Sequence, residues 1–310
     1  MALAIAILGT SWLQLAGHID VSKSLYTSPS VPWLSHALGG LLFGAGMTLA
    51  SGCGSRTLLR IGGGNLKSLV VAMVMAITAY MTLKGVLAVP RTAVIDPVAV
   101  TLSTGQDFPT LLSSLGLARP SALLTLALLS GGGLLAFCLR SAEFRTRDNL
   151  LGAIVTGLAV VACWYLSGVI GHVAEDPQTL DERFYATNSG RMESISMVAP
   201  QAYLLELLVL WSDKSRVMTL GIASVLGLYC GALLWALRSR SFRIESFTGS
   251  EDMLNHLVGA ALMGFGGVLA LGCTVGQGLS GISTLALGSL LTLLAIIAGH
   301  DAAFVPGDDA

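Results

Sequence analysis

Two stretches of this chain repeat one another at a fixed distance. HALGGLLFGAGMTLASGC runs from His36 to Cys53, and HLVGAALMGFGGVLALGC runs from His256 to Cys273. At an offset of 220 residues His36 matches His256, Gly39 matches Gly259, and Gly44 and Gly46 match Gly264 and Gly266. Gly52-Cys53 matches Gly272-Cys273 in the same register. Each copy is apolar, laced with glycine and closed by a Gly-Cys pair. A duplicated, interrupted apolar segment at corresponding places in a chain points to a substrate site near the middle of a bilayer.

Composition agrees with a membrane setting. Hydrophobic residues make up 54% of the 310 positions and charged residues 11%, where a soluble domain carries about 25% charge. A net charge of −1 leaves no basic surface to neutralise phosphates, which excludes nucleic acid as a partner. The 37 glycines would weaken helices in water, but in lipid small residues let helices approach closely.

Apolar runs cover Met1–Ala16, Leu34–Gly52, Leu66–Val89, Ser121–Leu139, Leu150–Ile170, Val198–Trp211, Val217–Leu237, His256–Gly272 and Ser283–Ala298. The first is short against the roughly 20 residues of a full span, and Val198–Trp211 reads as re-entrant or interfacial. These runs predict an all-α integral membrane protein of about eight or nine embedded segments. A single transmembrane transport domain is expected over residues 1–310, with the repeats at 36–71 and 256–291 and a polar, frayed tail from Gly299. Met1 enters the first run at once, without a basic n-region or an A-x-A-like site, so the start reads as a span rather than a cleavable signal peptide. The loops LRSAEFR (Leu139–Arg145) and LRSRSFR (Leu237–Arg243) are alike and basic, which places both in the cytoplasm by the positive-inside rule. The acidic stretch from His172 to Met197 belongs on the other side.

Each Gly-Cys is followed by glycine and hydroxyl residues, GCGSRTLLRIGGGN from Gly52 to Asn65 and GCTVGQGLSGIST from Gly272 to Thr284. Such stretches cannot remain regular helix, and irregular backbone at membrane depth persists only where protein buries it or a polar cavity receives it. Helices are expected to restart near Asn65 and Ser283, both good N-cap residue types. Their N-termini would turn partial positive charge toward the breaks, an anion site without a contacting lysine. The thiols of Cys53 and Cys273 would line it, and a thiol is a weak donor suited to a soft acceptor. Gly52, Gly54, Gly272, Gly276 and Gly278 would permit close backbone approach or left-handed turns there, with Gln277 among the substrate-binding residues.

Other features carry less. Cys138, Cys163 and Cys230 sit in ordinary apolar runs and read as packing residues, as does the Gly40/Gly44 pair. His36 and His256 precede the helices as interfacial anchors or caps, or as accessory substrate contacts. Arg56 and Arg60 suit either anion steering or a lipid headgroup. Glu206, in a short apolar run, is a candidate for a coupling proton. No C-x-x-C spacing is present, so no metal and no cofactor is expected, and no catalytic triad or phosphate loop marks an enzyme.

GGLLFGAGMTLASGCGSRTLLRIGGGNLKSLVV (Gly39–Val71) and LMGFGGVLALGCTVGQGLSGISTLALGSLL (Leu262–Leu291) resemble the two signature segments of the YeeE/YedE family of sulfur transporters, the thiosulfate-uptake proteins of bacteria. FRTRDNLLGAIVTG (Phe144–Gly157) is similar to the family's middle section. The resemblance implies an inverted-repeat, multi-pass protein of the bacterial inner membrane, with broken helices meeting at a narrow waist. It implies passage of thiosulfate by successive S–H···S hydrogen bonds, with Cys53 and Cys273 matching the two waist cysteines. It also implies a cytoplasmic TusA-like sulfurtransferase partner. The chain departs from the family at its start, where a further helix with a Phe-Cys motif supplies a third relay cysteine. Phe137-Cys138 has other flanks. Either the chain begins short of that helix, or it uses two cysteines.

The sequence therefore reads as an importer of thiosulfate or a related sulfur-containing anion, not an enzyme. The alternatives are transport of another sulfur or selenium species, and a membrane sulfurtransferase that forms a cysteine persulfide.

Overall fold

A computed structural model describes residues 1–114, 116–141, 143–176 and 180–304. The helices, in chain order, are α1 (Ala2–Leu15), α2 (Trp33–Leu49), α3 (Gly54–Gly62), α4 (Leu66–Lys84), α5 (Ala88–Pro90), α6 (Phe108–Ser113), α7 (Arg119–Ala127), α8 (Gly133–Arg140) and α9 (Arg147–Tyr165). They continue with α10 (Ala199–Val209), α11 (Leu220–Arg238), α12 (Ser250–Leu269) and α13 (Leu287–Ala303). Among the described residues, four two-residue strands form two antiparallel ribbons, Ser30–Val31 with Val100–Thr101 and His172–Val173 with Arg183–Phe184. Six helical stretches are long and apolar enough to cross a membrane: Trp33–Gly62, Leu66–Lys84, Arg119–Arg140, Arg147–Ile170, Leu220–Arg238 and Ser250–Leu269. The chain is an all-α, multi-pass membrane protein.

The chain divides into two compact units that interleave in sequence. One comprises Met1–Val31, Val100–Ile195 and Gly276–Leu290. Its core gathers Trp164, Tyr26, Val160, Met192, Phe184 and Ala286. Trp164 is fully enclosed and its indole N–H donates to Ser283 Oγ at 3.0 Å. That bond satisfies the one polar atom of a large buried ring.

The other unit comprises Pro32–Ala99, Ser196–Val275 and Leu291–Ala310. It is built on the packing of α2 against α12. A Cβ at Gly39 would lie 2.5 Å from the Ala270 amide nitrogen and 2.8 Å from the Gly266 carbonyl oxygen. A Cβ at Gly259 would lie 2.7 Å from the Ala50 nitrogen and 2.6 Å from the Gly46 oxygen. Gly46 meets Gly259 and Met263, while Gly266 meets Gly39 and Phe43. Every contact thus has a counterpart in which both residues are exchanged for their repeat equivalents. That reciprocity is the mark of a two-fold relation, here internal to one chain. Backbone touches backbone because glycine occupies all four crossing positions, which is how helices associate tightly in lipid. Gly44 packs on α13 at Ile296 and His300, and Gly264 packs on α4 at Met75 and Ala79, so α4 and α13 are equivalents as well. Gly40, against Ala295 and Thr292, is a packing glycine as expected.

Three expectations change. His36 and His256 do not precede their helices. α2 begins at Trp33 and α12 at Ser250, which puts both histidines inside. Ser283 is not an N-cap, because helix resumes only at Leu287. Residues 299–303 are helical rather than frayed, and residues 305–310 of that tail lie outside the described residues.

Candidate functional site

The two Gly-Cys breaks begin identically. α2 closes with Ser51 N–H donating to Thr48 O at 3.1 Å and Gly52 N–H to Met47 O at 2.8 Å. α12 closes with Leu271 N–H to Val268 O at 3.1 Å and Gly272 N–H to Gly267 O at 2.9 Å. This paired closure requires a left-handed residue at the first position beyond the cap, usually glycine. Ser51 (φ 56°) and Leu271 (φ 55°) take it instead. At the second break the left-handed residue is thus Leu271 rather than Gly272, whereas the first break has positive φ at both Ser51 and Gly52 (φ 158°), where a Cβ would lie 2.9 Å from Arg56 Cδ. A side chain in that conformation costs about 1–2 kcal/mol, and such strain gathers at functional sites.

Past the cysteines the copies diverge. Cys53 is the N-cap of the nine-residue α3. The second break turns instead through a π-helix, Gly276–Gly281. Both breaks end alike. Gly64 (φ 98°) and Leu285 (φ 57°) are left-handed, Leu66 N–H donates to Glu245 O at 2.9 Å, and Leu287 N–H donates to Gln106 O at 3.1 Å. Asn65 caps α4, its Oδ1 accepting from Ser68 N–H at 2.8 Å, as its residue type suggested. By these matched endings Asn65 corresponds to Ala286, one position beyond the offset that relates the two cysteines. The second break therefore holds one residue more than the first. A single inserted residue is what a π-turn absorbs, and such turns favour functional sites.

The structure brings Cys53 together with three residues, Ser55, Arg56 and Thr274. Its Sγ lies 3.2 Å from Ser55 Oγ, the Thr274 side chain hydrogen-bonds to it, and the Ser55 and Arg56 amides are turned toward it. Thr274 follows Cys273 directly, so the second break supplies a hydroxyl to the thiol of the first. Cys273 itself is fully enclosed while Cys53 is half-buried, and neither is in a disulfide. Gly54 is buried but a Cβ there would meet nothing nearer than Met75 Cε at 3.5 Å. That is ordinary contact, so the close approach expected at Gly54 is not required. Gly276, Gln277 and Gly278 are buried within the π-helix, and Gln277 Oε1 would lie 2.7 Å from a Cβ at Gly281.

The remaining candidates have other partners. His36 Nδ1 is 2.7 Å from Thr292 Oγ1 on α13, and His256 Nδ1 is 2.7 Å from Asp252 O one turn back. Arg56 is exposed, its methylenes lying over Gly52. Glu206 is buried and committed to two cations, Lys84 Nζ at 2.7 and 2.9 Å and Arg216 Nη1 at 3.2 Å. A carboxylate held by two cations anchors α10 to α4 more readily than it carries a proton. Sequence reasoning missed Ser55 and Thr274 as individuals, although the hydroxyl residue after each Gly-Cys was the available signal. No group of three or more His, Cys, Asp or Glu side chains able to hold a metal exists among the described residues.

A helical membrane protein with an internal two-fold and paired, cysteine-bearing helix breaks is built like a transporter. The family model described as sulphur transport matches residues 1–301, and the chain belongs to that family. It is 26% identical over 267 residues to the thiosulfate transporter TsuA of Escherichia coli (strain K12), covering 84% of this chain and 71% of that protein. It is 27% identical over 279 residues to the thiosulfate transporter TsuA of Spirochaeta thermophila, covering 86% of this chain and 76% of that protein.

Proposed function

We propose that this chain carries thiosulfate, or a closely related sulfur-containing anion, across the bacterial inner membrane through its two Gly-Cys breaks. The observation that supports this best is the Thr274 hydroxyl of one break set against the Cys53 thiol of the other. The reciprocal packing of α2 and α12 makes Cys53 and Cys273 equivalent positions of one two-fold arrangement. A dianion entering a narrow waist loses hydration worth several kcal/mol. The donors that would replace it are the Cys53 thiol, the Ser55 and Thr274 hydroxyls and the amides at the start of α3, with the enclosed Cys273 thiol reached as the anion moves into the second break. Gly52 and Gly272 belong to the same two breaks and complete the proposed binding set within this compact unit. Thiosulfate has one soft sulfur end and one hard oxygen end, and this mixed donor set suits both. A small cytoplasmic sulfurtransferase of the TusA type would receive the anion.

Uptake of radiolabelled thiosulfate by cells expressing the chain tests the proposal. Parental cells should accumulate label, and Cys53→Ala and Cys273→Ala cells should not. Uptake unchanged in both variants overturns it.

A second reading draws on the amides turned toward the Cys53 sulfur, an arrangement that also suits a nucleophilic thiol. Attack of a Cys53 thiolate on the outer sulfur of thiosulfate would release sulfite and leave a persulfide on Cys53. Mass spectrometry of protein purified during uptake separates the two. Unmodified Cys53 and Cys273 support passage by hydrogen bonding, and a stoichiometric persulfide supports sulfur transfer.

A further inference from the structure

A polar pocket of about 420 Å³ opens beside the first break, lined by Ser51, Arg60, Lys67, Arg243, Glu245 and Asp252 among others. It is many times larger than the ~30 Å³ a water molecule occupies. We propose that this pocket binds a small oxyanion, as a station distinct from the thiols. It takes the hard, sulfonate-like end of the transported anion or a free sulfate through the guanidinium groups of Arg243 and Arg60. The identity of the anion rests on the transport reading above, but the pocket is argued from its own groups.

Its carboxylates are already engaged. Glu245 Oε2 accepts from Asn65 Nδ2 at 2.7 Å. Asp252 Oδ2 accepts from Lys67 Nζ at 2.7 Å and from the Thr248 amide at 3.0 Å. Three cationic side chains thus face two carboxylates, one of which is neutralised by Lys67. Among the described residues the Arg243 guanidinium has no hydrogen bond or ion pair, although its backbone N–H is fixed to Gly63 O at 2.9 Å. Arg60 uses one nitrogen, donating from Nη1 to Ser51 O at 3.0 Å, and its remaining donors are uncommitted. Arg56 and Glu245 are the other charges that act on Arg60.

The position is informative. Ser51 is the left-handed residue of the first break, two residues before Cys53. Ser241 and Arg243 belong to the basic loop that the positive-inside rule assigns to the cytoplasm. An anion leaving the Cys53 thiol on that side meets guanidinium groups next. Arg is the side chain whose planar fork matches an oxyanion. Soft donors at Cys53 and hard donors in this pocket suit opposite ends of the same ion.

The test is equilibrium binding of radiolabelled sulfate to the purified chain in phosphatidylcholine nanodiscs. Sulfate has the hard oxygens without the soft sulfur. The parental chain should bind it saturably, Arg243→Gln should weaken binding at least tenfold, and Arg243→Lys should recover part of the loss. Arg145→Gln, at an exposed arginine that does not line the pocket, should bind as the parent does. Arg243→Gln is the cleaner substitution, since Arg60→Gln also removes a bond to the turn at Ser51. Absence of saturable binding, or equal binding by Arg243→Gln, overturns the proposal. So does loss of binding in phosphatidylglycerol nanodiscs, which would assign the pocket to a lipid phosphate. Normal sulfate binding by a chain that does not take up thiosulfate would defeat the transport reading and leave the pocket standing.

Discussion

The two Gly-Cys breaks start as copies and finish as copies, yet differ in the middle. The first runs through a regular helix, keeps Cys53 half-buried and borders a polar pocket. The second runs through a π-turn with Cys273, Gln277, Ser280 and Ser283 all fully enclosed. The shared parts are the ones that geometry imposes on any helix entering and leaving such a break: the paired closure, the left-handed residue and the restart. The part that differs is the part that would meet substrate. On the proposed path, a two-fold scaffold with an asymmetric lining would give an ion two unlike surroundings in succession.

The largest expected effect comes from destroying the scaffold. Gly39→Leu or Gly259→Leu would force backbones apart where a single Cβ already falls within 2.8 Å of main-chain atoms. Overpacking of that kind costs about 1–3 kcal/mol or more. Each variant should lose its monodisperse peak in detergent, and the two should suffer alike if the two-fold relation holds. Next, Thr274→Val removes the hydroxyl from Cys53 while keeping shape. Uptake should fall severalfold, whereas Gly54→Ala at the equivalent position should stay within twofold of the parent. Equal effects at the two positions would mean that the breaks are functionally symmetric.

A smaller effect belongs to the other unit. The Glu193 carboxyl, in the loop before α10, is pushed up to about 7 by burial, against hydrogen bonds from Ser189 that pull it down. A carboxyl whose folded-state value exceeds its unfolded one favours the folded state at low pH. That advantage is lost as pH rises from about 4.5 through about 7. Thermal stability should decline across this window, and Glu193→Gln should flatten the decline. The smallest change is Ser51→Gly, which relieves the left-handed serine. A gain of about 1 kcal/mol should raise the melting temperature slightly, and Leu271→Gly should do the same if the closures are equivalent.

Much of this was legible in the residues. The repeat and the apolar runs pointed to the membrane class and the location of both breaks, and Asn65 announced its cap, while the crossing of α2 and α12 on Gly39, Gly46, Gly259 and Gly266 emerged only in the fold. Ser283 misled because an N-cap residue type also serves as a plain acceptor, here for the Trp164 indole. His256 misled because apolar periodicity does not mark where a helix begins when the preceding turns are largely polar, as in residues 250–255, whereas His36 sits only one turn into α2, inside the apolar run that starts at Leu34. The left-handed Ser51 and Leu271 were hidden because glycine lay one position away and drew the inference. The π-turn has no residue signature of its own. It shows only as the one-residue change of register between Asn65 and Ala286. The Arg243 pocket joins loops far apart in sequence, and only the fold assembles it.

The central claim is that the two cysteines serve one path for one ion. Initial rates of radiolabelled thiosulfate uptake should be measured for the parent, Cys53→Ala, Cys273→Ala and the double variant, each normalised to protein in the membrane. Groups acting in series on one path are non-additive. Each single variant should fall at least tenfold, and the double should be no slower than the slower single. Parental rates in either single variant, or losses that multiply in the double, would contradict the account.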